Sequence, residues 1–119
     1  MNKKSITILG STGSIGVQAL AVIAQHPGAF SVEVLTAQDN ASLLVEQAVA
    51  FRPNAVVIGN EAKYAEVAAA LRKYPVKVFA GAASLCDVAA WKTADMVLSA
   101  LLGFAGLEPA LCALQAGRP

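Results

Sequence analysis

Apolar and polar positions along the chain switch repeatedly between a strand period and a helix period. Lys4 to Leu9 is short, apolar and β-branched and stops at Gly10, which predicts a buried strand. From Ser14 to Gln25 the apolar residues Ile15, Ala19, Val22 and Ile23 recur at helical spacing. His26-Pro27-Gly28 ends that pattern, because proline cannot continue a helix and glycine accepts a left-handed exit. Phe30 to Thr36 alternates again and predicts a second strand. Asn40 is placed to cap a helix running through Phe51, with Leu43, Leu44, Gln47, Ala48 and Phe51 on neighbouring faces. A third strand is expected over Ala55 to Ile58, a helix over Glu61 to Lys73 capped by Asn60, and a fourth strand over Val76 to Phe79. A short helix over Ala82 to Trp91, a fifth strand over Met96 to Ser99, a turn at Gly103 to Gly106 and a helix over Leu107 to Ala116 complete the pattern.

Strand and helix alternate from end to end, with no linker, repeat or low-complexity stretch. That order predicts an α/β fold over residues 1–119: a Rossmann-like parallel sheet with helices on both faces, in three α/β/α layers. The alternation stops at Gly117-Arg118-Pro119, where another strand is expected, so the chain reads as a fragment of a longer protein.

Composition narrows the partners. The 119 residues suffice for one domain with a core and not for two. Hydrophobic residues make up 56% and charged residues 14%, so part of the apolar surface is expected to meet another domain or subunit. A net charge of +1 and few aromatics offer neither a basic field nor a stacking surface for nucleic acid. The apolar run Ile6 to Leu9 is too short for a signal segment or a membrane span, which reads as a soluble, cytoplasmic protein. Cys86 and Cys112 lie in helical patterns and read as reduced core thiols.

The chemistry is concentrated in Gly10-Ser11-Thr12-Gly13-Ser14-Ile15-Gly16, between the first strand and the first helix. Gly10 lets the chain leave the strand sharply, Gly13 lets a diphosphate approach the backbone, and Gly16 lets the helix pack closely. Amides of the first helical turn lack intrahelical partners and suit phosphate oxygens, and Thr12 and Ser14 add hydroxyl donors. A glycine turn needed only for packing would explain Gly10 and Gly16 but not the added Ser and Thr. After the second strand come Gln38, Asp39 and Asn40. Asp39 reads either as an acceptor for ribose hydroxyls, which taken alone favours NAD(H), or as a solvated residue before a helix. Asn40 reads as an N-cap, an adenosine contact, or both. Ala100 and Leu101, after the fifth strand, would line a nicotinamide or simply form core and turn.

Other chemistry finds no foothold. His26, the single histidine, sits at a helix end and reads as solvated. Asp87 and Asp95 flank Trp91 and read as surface or capping residues, and Arg72, Lys73 and Lys77 as a solvated edge. No catalytic set and no metal-binding spacing can be assembled.

The opening Ile-Thr-Ile-Leu-Gly-Ser-Thr-Gly-Ser-Ile-Gly, then His26-Pro27 with Phe30, Asn40 with Gln47, and Phe51-x-Pro53 resemble 1-deoxy-D-xylulose 5-phosphate reductoisomerases. The stretch from Asp95 through Val97, Ala100, Gly103, Ala105-Gly106-Leu107 and Pro109 to Ala116-Gly117 resembles the same family, in one register along the chain. The resemblance implies an enzyme that rearranges 1-deoxy-D-xylulose 5-phosphate and reduces the product with NADPH to 2-C-methyl-D-erythritol 4-phosphate, in non-mevalonate isoprenoid biosynthesis. It implies Mg2+ or Mn2+, a phosphosugar substrate and a homodimer. It carries cofactor contacts onto Thr12, Gly13, Ser14 and Ile15, onto Gln38, Asp39 and Asn40, and onto the backbone near Ala100 and Leu101. The family commonly has Gly followed by Lys or Arg where this chain has Gln38-Asp39, and a carboxylate there would repel a 2′-phosphate. The family's metal-binding carboxylates, substrate loop and C-terminal domain fall beyond Pro119, so the isolated chain is expected to be inactive. The rivals are the cofactor domain of another reductase, such as a semialdehyde dehydrogenase or an epimerase-like enzyme, and a non-catalytic dinucleotide-binding module. Neither Tyr64 nor Tyr74 has a lysine four residues on, as an epimerase-like site would need.

Overall fold

In a computed structural model, which describes residues 3–91 and 93–99, five strands form one sheet. They are β1 (Lys4–Leu9), β2 (Phe30–Ala37), β3 (Ala55–Ile58), β4 (Lys77–Ala80) and β5 (Met96–Ser99). Each neighbouring pair is parallel, and the order is β4-β3-β2-β1-β5. The helices are α1 (Ser14–Gln25), α2 (Ala41–Phe51), α3 (Tyr64–Ala70) and α4 (Ala82–Ala89).

The helices divide between the two faces, as the alternation of strand and helix predicts. Ile6, Ile8, Val32, Leu35, Val56 and Ile58 pack against Leu20 and Ile23 of α1, Leu44 and Ala48 of α2, and Val67 of α3. The alternate residues Val34, Ala55 and Val57 pack against Leu85 and Val88 of α4. Phe79 and Trp91 join that second layer, with their rings edge-to-face at 6.0 Å. The direction of travel reverses after β4: the chain crosses under the sheet and returns beside β1. A right-handed crossover in the opposite direction puts α4 on the opposite face from α1 to α3.

One irregularity keeps both layers in phase. Ile6 pairs with Val32, but Thr7 pairs with Val34, so Glu33 is an extra residue in β2. Without it Val32 and Val34 would share a face; with it they serve opposite cores. Glu33 is buried, and both its carboxylate oxygens accept from Asn54 Nδ2 at 3.0 Å. The Asn54 amide donates to the Glu33 carbonyl at 2.9 Å, and the Asn54 carbonyl accepts from Lys77 at 3.0 Å. Asn54 thus laces the beginnings of β2, β3 and β4. Asp95 does similar work for β5: its carboxylate accepts from the Ser5 amide at 2.8 Å, and its own amide donates to the Ser5 carbonyl at 2.8 Å.

Several expectations need correction. The buried stripe of α1 is Gly16, Leu20 and Ile23, whereas Ile15 and Val22 are about half exposed. The helix expected over Glu61 to Lys73 is a 3-10 turn, Glu61–Lys63, followed by α3, which ends at Ala70. Pro75 disfavours helical geometry at Tyr74, and the chain leaves through a turn closed by Tyr74 N–H on the Leu71 carbonyl. β4 starts one residue late, and α4 stops two residues early, at Ala89. Cys86 is disulfide-bonded, not a reduced thiol. Cys112 and the turn and helix expected over 103–116 lie outside the described residues.

Replacing Asn54 by alanine strips the buried Glu33 carboxylate of its donor. The loss should cost about 1–3 kcal/mol, read as a lower urea midpoint with unchanged slope; an unchanged midpoint would show the lacing to be ornamental.

Candidate cofactor site

β1 lies between β2 and β5, so the chain leaves it in one direction and returns on its other side. In open α/β sheets a crevice opens at such a reversal, outside the carboxyl ends of the strands. The turn from Gly10 to Gly16, residues Gln38 to Asn40 and the Gly59-Asn60 pair all follow the carboxyl ends of strands on this edge. A cavity of about 490 Å³, lined by Glu33, Asn54, Lys77 and Trp91 among others, opens at the opposite edge. Its Glu33 and Asn54 already satisfy each other.

The turn is held from three sides. Gly10 has φ +82, a left-handed conformation that a side chain would strain. Its amide donates to Thr36 Oγ1 at 2.9 Å, and the Ser11 amide donates to the Thr36 carbonyl at 2.8 Å. Ser11 is fully buried and bonds to Gln47 of α2 through both its hydroxyl and its carbonyl. The third side is α1. A Cβ on Gly16 would collide with the Gly10 carbonyl and lie 2.6 Å from Ser11 Cα. Gly16 therefore serves close contact with the turn's own backbone, a nearer neighbour than the sheet expected from the sequence.

The outer side of the turn contrasts with this. Thr12 is partly buried, and Gly13, Ser14 and Ile15 are exposed. Gly13 has ordinary extended geometry, and a Cβ there would meet only the Gly10 carbonyl, at 3.7 Å. Its lack of a side chain is thus no internal requirement and leaves the backbone open from outside. Gly13 caps α1 without a side-chain hydrogen bond, and the first turn of α1 carries no acidic residue. The Gly13 amide donates to the Gly10 carbonyl at 3.3 Å, and Ser14 and Ile15 open the helix exposed, at the positive end of its dipole, a setting suited to phosphate.

At the end of β2 two loops are tied together. Asn60 Nδ2 donates to Asp39 Oδ1 at 3.0 Å, while Asn60 Oδ1 accepts from Ala62 N–H at 3.0 Å. The Asn60 amide donates to the Gln38 carbonyl at 2.8 Å. The Gln38 side chain lies over Gly59, where a Cβ would come within 2.8 Å of Gln38 Cδ. Asp39 and Gln38 remain exposed. Asn40 Oδ1 accepts from Leu43 N–H at 3.2 Å, so the N-cap reading of Asn40 holds.

The structure thus places Gly10, Thr12, Gly13, Ser14, Ile15, Gln38, Asp39 and Asn40 on one edge of the sheet. Ala100 and Leu101 lie outside the described residues; Ser99, the last residue of β5, ends on that edge. His26 caps α1 and stacks edge-to-face on Phe30, away from this edge. Sequence reasoning placed Ser11 in the turn but missed its anchoring role, and it missed Thr36, Gln47 and Asn60 as parts of the site. Gln47 carried a signal, since it interrupts the apolar stripe of Leu44 and Ala48 with an amide. Among the described residues no group of three or more His, Cys, Asp or Glu could hold a metal ion, and no helix is long and apolar enough to cross a membrane.

Residues 6–119 match the family described as 1-deoxy-D-xylulose 5-phosphate reductoisomerase. The chain is 52% identical over 118 residues to the 1-deoxy-D-xylulose 5-phosphate reductoisomerase of Bacteroides fragilis, covering 99% of this chain and 30% of the relative. The Zymomonas mobilis reductoisomerase, solved in complex with NADPH, superposes with a TM-score of 0.93 at 32% identity, covering 98% of this chain and 31% of that one. A reductoisomerase solved with NADPH, fosmidomycin and magnesium gives a TM-score of 0.92 at 32% identity, covering 97% of this chain and 28% of that one. The chain spans about 30% of the length of the curated relatives it matches. Over that span, the chain belongs to the 1-deoxy-D-xylulose 5-phosphate reductoisomerase family.

Proposed function

We propose that this chain is the NADPH-holding part of a reductoisomerase that converts 1-deoxy-D-xylulose 5-phosphate to 2-C-methyl-D-erythritol 4-phosphate. The observation that carries the reading is the turn after β1, whose inner side is bonded to Thr36 and Gln47 and whose outer side at Gly13 is open. Related reductoisomerases bind NADPH in their solved structures. The amides of Thr12, Ser14 and Ile15 would hold the diphosphate across the open backbone of Gly13, whose own amide donates to the Gly10 carbonyl at 3.3 Å, with Gly10 shaping the turn. Gln38, Asp39 and Asn40 would meet the adenosine ribose, and the backbone near Ala100 and Leu101 the nicotinamide side. Bound NADPH supplies the hydride of the reduction, and this chain's residues bind and orient it.

Among the described residues no group of side chains could hold the divalent metal. We assign the Mg2+ or Mn2+ site, the phosphosugar site, the homodimer contacts and turnover to the longer cytoplasmic enzyme. NADPH consumption by the 119-residue chain with substrate and Mg2+ would overturn that division.

Gly13 and Gly16 separate binding from folding. Gly13→Ala should weaken NADPH binding about tenfold or more by calorimetry while leaving the melting temperature nearly unchanged. Gly16→Ala forces a methyl into backbone and should cost at least about 1–3 kcal/mol of stability. Equal NADPH affinity in the parent and Gly13→Ala would remove the diphosphate from this turn.

Asp39 sets the cofactor ratio. A carboxylate near the ribose disfavours a 2′-phosphate, and a guanidinium favours it. Asp39→Arg should raise the ratio of NADPH to NADH affinity about tenfold; an unchanged ratio would mean that residue 39 does not face the ribose.

A further inference from the structure

A glutamine on the buried face of a helix is costly unless both ends of its amide find partners. Gln47 is 8% exposed and shares the buried face of α2 with Ala41, Leu44 and Ala48. Both ends are used on one residue. Ser11 Oγ donates to Gln47 Oε1 at 2.7 Å, and Gln47 Nε2 donates to the Ser11 carbonyl at 2.8 Å. The residues are 36 apart in sequence, so this pair joins α2 directly to the glycine turn.

The second bond fixes a direction. The peptide between Ser11 and Thr12 is trans and planar, so its C=O and N–H point opposite ways. Gln47 draws the Ser11 carbonyl inward, which turns the Thr12 N–H outward, toward the open side at Gly13. Thr36 holds the amides of Gly10 and Ser11 but does not bond this carbonyl. Among the described residues, Gln47 is the one side chain that bonds it.

We propose that Gln47 is a positioning residue for the cofactor: by bonding the Ser11 carbonyl it aims the Thr12 N–H at the diphosphate. The inference rests on the functional reading above. It predicts that two shape-conserving substitutions act differently. Gln47→Met keeps the volume and removes both bonds, so the peptide is free to rotate. Gln47→Glu keeps the acceptor for Ser11 Oγ. When ionised it places a negative charge against the Ser11 carbonyl and near the diphosphate. When protonated it can donate to that carbonyl as the amide does.

The test is calorimetric titration of NADP+, which tolerates acid, into the parent chain and both variants between about pH 8 and about pH 5, a range reaching toward the ordinary glutamate pKa of about 4.3, which burial raises. Circular dichroism establishes that each variant is folded at each pH. Gln47→Met should bind about tenfold more weakly at every pH. Gln47→Glu should bind more weakly still at the alkaline end and recover affinity relative to the parent as pH falls. A role confined to stability would lower the melting temperature and leave the affinity of the folded protein unchanged. Folded variants that bind within about twofold of the parent at every pH therefore overturn the inference and leave the functional reading standing. A parent chain that fails to bind NADP+ overturns both.

Discussion

The site depends on how the Gly10-Ser11 backbone is bonded at the end of β1. Its amides are taken by Thr36, its carbonyl and hydroxyl at Ser11 by Gln47, and its back by Gly16 of α1. Two elements distant in sequence, β2 and α2, and the adjoining α1 therefore converge on two residues. Those inward groups are satisfied inside the fold, and the Gly13 amide closes the turn on the Gly10 carbonyl at 3.3 Å, while Ser14 and Ile15 at the start of α1 are exposed. The candidate surface at this turn carries no charged side chain and relies on peptide dipoles held still by their neighbours. Such a surface costs little reorganisation when the ligand arrives, which is the advantage of building it on a strand end and a helix start.

The rest of the sheet serves this arrangement at a distance. The extra residue Glu33 keeps Val32 and Val34 on opposite faces, so that β2 can carry both helix layers and still present Thr36 to the turn. Asn54 at one edge and the Ser5–Asp95 pair at the other hold the strand beginnings in register. The neighbouring loop after β3 supplies Asn60, which fixes Asp39 at the end of β2. At the end of β2 a carboxylate is held in place by an amide.

Much of this was legible in the sequence because local chemistry and global fold agree. Strands β1, β3 and β5 fall where apolar runs between turn residues put them, and Asn40 and Asn60 cap where their side chains predict. The Gly10 turn was readable because a positive φ and a close approach each need glycine. Periodicity failed where apolar residues outnumber the buried positions. Ile15 and Val22 follow helical spacing as well as Leu20 does, yet Gly16, with no side chain, lies on the face that packs. The α3 prediction ran too long because helix propensity through Leu71 to Lys73 gave no warning of the constraint from Pro75. The Ser11–Gln47 pair was out of reach, since nothing local relates residues 36 apart.

The most direct test of the account is a 15N–1H titration of the labelled chain with NADPH. It predicts saturable shifts that are largest at the amides of Thr12, Gly13, Ser14 and Ile15, with a second group at Gln38 to Asn40. Shifts confined to the opposite edge, around Glu33, Asn54 and Trp91, with the glycine turn unmoved, would contradict it.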